Sequence, residues 1–231
     1  MLRHLTIRRT TEVDTSATHG PMHQQQLSGA GASSHSHAHA LNPYFGYGSN
    51  LWQHQMTQRC PTSTYLGVAR LPHYRWIIND RGYANVVQLP FSSPYNTSAD
   101  LPVSEMVYGL VYDLRPADED RLDVNEGVPY AYTKERVPVE FWRSESGRRV
   151  DVGAEPEVLR MLVYIDRERV EESKPKREYV YRMNMGIGDA QDMGVPNEYV
   201  EKVVRRFVPA VDDRSVEALA RRQGLDFQDE R

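Results

Sequence analysis

Tyr44-Phe45-Gly46-Tyr47-Gly48-Ser49-Asn50-Leu51 is the stretch on which the reading of this chain turns. Tyr44 to Tyr47 form a short aromatic strand. The glycines that follow let the backbone turn tightly and present N–H groups without side-chain cover. Leu51 to Arg59 has helical composition, with Ser49 or Asn50 as its cap and Pro61 as its stop. A strand that breaks through glycines into a helix N-terminus can hold a carboxylate or phosphate. Read from these residues alone, the segment is either such an anion site or a plain strand-to-helix turn.

Other glycine motifs fail on spacing. A dinucleotide fingerprint needs a third glycine where Leu51 stands, and a phosphate loop needs Gly-Lys-Ser or Gly-Lys-Thr. A nucleophile elbow also needs a glycine at Leu51. Ser49 has no evident histidine partner, because six of the eight histidines precede residue 40 and only His54 and His73 remain. That count also rules out a three-histidine metal site in the body.

Working outward, residues 1–42 form a low-complexity tail rich in Gln, Gly, Ser and His, expected to be disordered. Its His35, His37 and His39 run has at most weak metal affinity. Arg3, Arg8 and Arg9 have a slight transit-peptide character, but Glu12 and Asp14 follow at once, which favours a plain tail. One domain is expected over 43–210, and a polar, partly helical tail over 211–231. Strands are expected at Tyr74–Ile78, Ala84–Leu89, Met106–Asp113, Val137–Trp142 and Val158–Ile165. Pro90 to Pro102 reads as a loop. Helices are expected at Pro116–Glu126, with Gly127 as terminator, and at Asn197–Phe207. Strands with a few short helices point to an α+β domain built on a small curled, barrel-like mixed sheet.

Composition narrows the function. With 28 basic and 32 acidic residues the formal charge is -4, so no broad basic surface points to nucleic acid. Cys60 is the single cysteine, which excludes an intrachain disulfide and a thiolate metal cluster and suits a cytoplasmic setting. Cys60 has no positioned base nearby in sequence, so an inert buried thiol is expected rather than a nucleophile. No apolar run is long enough to cross a bilayer. Arg59 and Arg70 read as surface ion-pair partners.

Six ordered segments resemble the γ-glutamylcyclotransferases. After the Tyr-Gly-Ser-Asn-Leu signature come Val68-Ala69-Arg70-Leu71 and Tyr108-Gly109-Leu110-Val111-Tyr112. Leu122-Asp123-Val124-Asn125-Glu126-Gly127-Val128 is similar to the family's acidic block. Tyr179 followed by Met185-Gly186, and Gly194-Val195-Pro196-Asn197-Glu198-Tyr199, complete the series, so the resemblance runs from about Tyr44 to Pro209. It implies release of 5-oxoproline from a γ-glutamyl amide with no cofactor or metal. Glu126 is the implied general acid/base. Tyr44, Gly46, Tyr47, Gly48, Ser49, Asn50 and Tyr179 are the implied substrate contacts, with Tyr179 read as a strand residue.

The local sequence gives Glu126 a second reason for notice. It stands at the negative end of a helix, beside Gly127, Val128 and Pro129, and both factors raise a carboxyl pKa. The leaving group stays open, because Pro90–Pro102 and the segment after Phe141 depart from the family pattern. An amino acid, Cys-Gly, or the remainder of a glutathione conjugate all fit. Some fungal relatives trim such conjugates in dithiolated-toxin biosynthesis, and the Ser/His tail is compatible with a fungal source. A non-catalytic binding module on the same fold is the competing class. The expected partner is a small γ-glutamyl molecule, with neither nucleic acid nor membrane, and the chain is compatible with a homodimer.

Overall fold

The computed structural model of the protein describes residues 40–90 and 101–225. The histidine run and most of the Pro90–Pro102 loop lie outside the described residues. The elements are β1 (Pro43–Gly46), α1 (Gln53–Arg59), β2 (Thr64–Pro72), β3 (Tyr74–Ile78) and β4 (Ala84–Gln88). Then come β5 (Met106–Asp113), α2 (Pro116–Asn125), β6 (Thr133–Arg143) and β7 (Glu157–Ile165). The helices α3 (Arg177–Met193), α4 (Asn197–Lys202) and α5 (Glu217–Leu225) follow. None of the described helices is long and apolar enough to cross a membrane.

Five strands close a barrel in the order β1-β5-β2-β6-β7, and β3 and β4 form a separate hairpin. Every barrel pairing is antiparallel except β1 with β7, which meet in parallel where Tyr44 faces Leu162. The architecture is α+β on a closed sheet. β1 and β5 are buried along almost their whole length, which explains why both read as apolar runs rather than as alternating strands. Phe45, Leu110, Phe141 and Met161 are fully enclosed. Each contributes about 1.5–3 kcal/mol of hydrophobic stabilisation.

Three local expectations need correction. Ser49 to Leu51 form only a 3-10 turn, and α1 begins at Gln53 with no side-chain cap from Ser49 or Asn50. Both side chains are drawn into hydrogen bonds elsewhere, and the first N–H of α1 is instead accepted by Asp189 Oδ2 from α3 at 2.7 Å. Second, residues 177–193 are a 17-residue helix, so Tyr179 sits on a helix and not on a strand. Its buried positions Tyr179, Met183, Ile187 and Ala190 follow helical spacing. Third, the helix expected to run to Phe207 ends at Lys202 and tightens into a 3-10 turn.

Candidate active site

Glu126 is fixed by how its helix ends. Pro116 opens α2, and Asp118 and Glu119 complement its positive end. At the other end Gly127 N–H donates to Val124 O and Val128 N–H to Asp123 O, a Schellman pair. That closure needs a left-handed residue after the cap, and Gly127 has φ +64°. Glu126 is therefore the helix C-cap, and its side chain leaves α2 toward β1 rather than continuing the helix.

The turn after β1 meets it there. Asn50 Nδ2 donates to Glu126 Oε1 at 3.2 Å and to the Tyr44 hydroxyl at 2.7 Å. Asn50 Oδ1 accepts from Gln55 Nε2 at 2.9 Å and from Arg59 Nη1 at 3.1 Å. All four hydrogen-bonding positions of this carboxamide are filled, which fixes its orientation. Ser49 Oγ accepts from Gln55 Nε2 and from Arg182 Nη1, at 3.0 and 3.1 Å. With two donors on its oxygen and no base, Ser49 is a structural hydroxyl rather than a nucleophile.

Tyr179 reaches the same turn from α3. Its hydroxyl accepts from the N–H groups of Ser49 and Ala84, each at 3.2 Å. Both lone pairs are then engaged, and its single proton is left for a third partner. A Cβ on Gly48 would stand 2.7 Å from that hydroxyl, so only glycine permits the approach. The N–H groups of Gly48 and Asn50 carry no hydrogen bond among the described residues.

One pocket collects these groups. Tyr44, Tyr47, Gly48, Ser49, Asn50, Tyr179 and Glu126 all line it. Gly46 does not; it is the last residue of β1, paired with Leu110 behind the pocket wall. Tyr47 donates to Tyr164 O at 2.6 Å and Tyr132 to Ala84 O at 2.9 Å, so these rings are fixed walls.

The electrostatics centre on Glu126. Burial of its carboxyl raises its pKa, while Arg59, Arg182 and the Asn50 bond pull it back down. The Tyr44 and Tyr47 phenols are pushed far up by burial and Tyr179 to about 12, so all three stay neutral near pH 7. Cys60 is buried beneath α2 with its thiol pushed up to about 12 by burial, which makes it a poor nucleophile.

Two arginines in the wall were not legible as site residues. Arg182 is almost fully enclosed and paired with Glu178 at 2.8 Å, one turn earlier on α3. Its position three residues after Tyr179 is a usable signal once the segment is read as a helix. Arg59 does not make the surface ion pair expected of it. It is 6% exposed, and three donors go to Asn50 Oδ1, Gln223 O and Gly224 O. Arg70 pairs with Glu140 at 2.5 Å in a partly buried position on the barrel.

Comparison with known proteins agrees with the architecture. The AIG2-like family profile matches residues 106–203. A solved structure described as a γ-glutamyl cyclotransferase shares 21% identity, covering 79% of this chain and 99% of its own, at a TM-score of 0.56. An uncharacterized protein from Homo sapiens shares 21% identity over 78% of this chain and 98% of its own, at a TM-score of 0.55. YkqA from Bacillus subtilis shares 18% identity over 73% of this chain and 54% of its own, at a TM-score of 0.51. A search of curated proteins found no significant match. The chain thus carries the γ-glutamylcyclotransferase fold, with an AIG2-like match over residues 106–203 that contains both Glu126 and Tyr179.

Proposed function

We propose that the chain is a γ-glutamylcyclotransferase. The observation that supports it most is the Glu126 carboxyl, held by Asn50 of the glycine turn in a tyrosine-lined pocket and raised by burial toward the range a general base needs. In this reading Glu126 takes a proton from the substrate α-ammonium. The freed amine attacks the substrate's own γ-carbonyl carbon, and a new C–N bond closes a five-membered ring. Electron density moves to the carbonyl oxygen, for which the unengaged N–H groups of Gly48 and Asn50 are donors. Collapse breaks the bond to the leaving nitrogen, which receives a proton from Glu126. Over the cycle two protons leave the attacking nitrogen and two reach the departing one, so the carboxylate ends as it began. Products are 5-oxoproline and a free amine. Ring closure within one molecule asks the pocket mainly to fold the substrate into an attack-ready shape.

The test is turnover of γ-glutamyl-alanine, a γ-glutamyl-amine, glutathione and a glutathione S-conjugate, with 5-oxoproline followed by mass spectrometry. Product is expected from at least one, and almost none from Glu126→Gln. The preferred substrate names the leaving group and separates general turnover from conjugate trimming. No product from any member by folded protein would leave the binding-module reading instead.

A further inference from the structure

Helix α5 reaches the pocket through Arg59, and its Gly224 also packs against Gln55. Its last turn offers carbonyls with no partner inside the helix, at the negative end of its dipole. Two of them accept from one guanidinium: Arg59 Nε donates to Gly224 O at 2.5 Å and Nη2 to Gln223 O at 3.2 Å. The remaining arm of the fork donates to Asn50 Oδ1, and Asn50 holds Glu126. No carboxylate oxygen stands within ion-pair distance of Arg59 among the described residues. The same helix is seated on α1 and α3 through Trp52, Tyr181, Val216 and Ala220.

We propose that α5 is a working part of the candidate active site, fixing the Glu126 carboxylate through Arg59 and Asn50, with Arg59 as the positioning residue. This rests on the cyclotransferase reading for its catalytic meaning, but not for its geometry. A buried guanidinium left to itself would swing toward water or toward the nearest carboxylate. The α5 carbonyls hold it so that one arm stays on Asn50. Lysine cannot replace it, because an ammonium lacks the planar fork that spans three acceptors.

Glu126 faces cations from three elements: Arg59 on α1, Arg182 on α3 and Arg81 on the turn joining β3 and β4. Arg182 is already paired with Glu178, and Arg81 lies over the rings of Tyr83 and Tyr132. The neutral titratable groups around it are the phenols of Tyr44, Tyr47, Tyr132, Tyr164 and Tyr179 and the Cys60 thiol. Burial pushes all of these up, so they hold their protons through the range in which Glu126 titrates. Arg59 is the largest influence holding the Glu126 carboxyl down. Its loss therefore raises that carboxyl further.

The experiment compares wild type with Arg59→Gln, Arg59→Lys and Arg222→Pro, each checked for folding by near-UV circular dichroism. Arg222 is exposed, and proline there disrupts the end of α5 that supplies the two carbonyls. Glu126 is titrated by 13C NMR of glutamate-labelled protein, its signal assigned by its loss in Glu126→Gln. The carboxyl is expected to titrate higher in Arg59→Gln and Arg222→Pro, and at an intermediate position in Arg59→Lys. In the turnover assay kcat/KM falls about 100-fold in Arg59→Gln, as for a misplaced catalytic group. The acidic limb of the pH profile moves to higher pH. Unchanged titration of Glu126 in Arg222→Pro, or in Arg59→Gln, overturns the proposal. If Arg59→Gln does not fold, Arg59→Lys and Arg222→Pro decide it by the same titration. A wild type that makes no 5-oxoproline sinks the cyclotransferase reading alone, since the titration needs no substrate.

Discussion

Replacing Tyr179 by phenylalanine removes one oxygen atom and leaves two amides without an acceptor. The N–H groups of Ser49 and Ala84 both end on that hydroxyl at 3.2 Å, and the side chain is 4% exposed. A buried donor stripped of its partner costs about 1–3 kcal/mol, so two give roughly 2–6 kcal/mol. The vacated space borders the candidate pocket, and one water entering from it can accept from both amides. The expected loss is therefore at the lower end, about 2 kcal/mol. Equilibrium urea unfolding of both proteins measures it, with an unchanged slope required before the midpoints are compared. Amide resonances of Ser49 and Ala84 should shift and exchange faster. A stability loss under about 0.5 kcal/mol, with those amides unmoved, would refute the claim that Tyr179 organises the turn. On the cyclotransferase reading kcat/KM also falls about 10-fold, the worth of one neutral hydrogen bond to the substrate.

Glu126→Gln should make the protein more stable at neutral pH while abolishing turnover. The folded-state pKa of Glu126 is raised by burial, so the folded form binds its proton more tightly than the unfolded chain does. The favourable contribution is full below the ordinary carboxylate range, near 4.3, and is lost as pH rises through the raised folded value. The thermal midpoint of Glu126→Gln should thus exceed wild type at pH 7 and converge on it below about pH 4. A variant less stable at pH 7 contradicts the assignment. Cys60 should resist a disulfide reagent at pH 8 in the native state and react fully in urea, because its thiol is buried and pushed up to about 12. Rapid native labelling would count against the packing beneath α2.

What the sequence made legible was contiguous. Tyr44–Leu51 shows its aromatic strand and its glycine turn side by side, and Pro116–Gly127 carries both signals of helix start and stop. Those two segments also hold Asn50 and Glu126, whose contact no spacing rule could supply. Helix α3 was missed although Tyr179, Met183, Ile187 and Ala190 keep helical period. Gly186 and Gly188 lower its intrinsic propensity, and tertiary packing overrides them. Arg59 and Arg182 were beyond reach for another reason. An arginine is exposed in most settings, and only the fold shows that carbonyls from α5 or a glutamate one turn away satisfy it in the interior.

The ties that build the pocket join distant parts of the chain. Tyr47 and Tyr164 are 117 residues apart, Ser49 and Tyr179 are 130 apart, and Arg59 and Gly224 are 165 apart. Contacts of such high sequence separation form late, because the entropy of closing each loop comes before its reward. A chain emerging from the ribosome can therefore pair β2 with β5 while the glycine turn still lacks its ceiling. The pocket lining becomes complete only once α3 brings Tyr179 and Arg182 to it, so chains that stop short of α3 are expected to hold no reactive half-site.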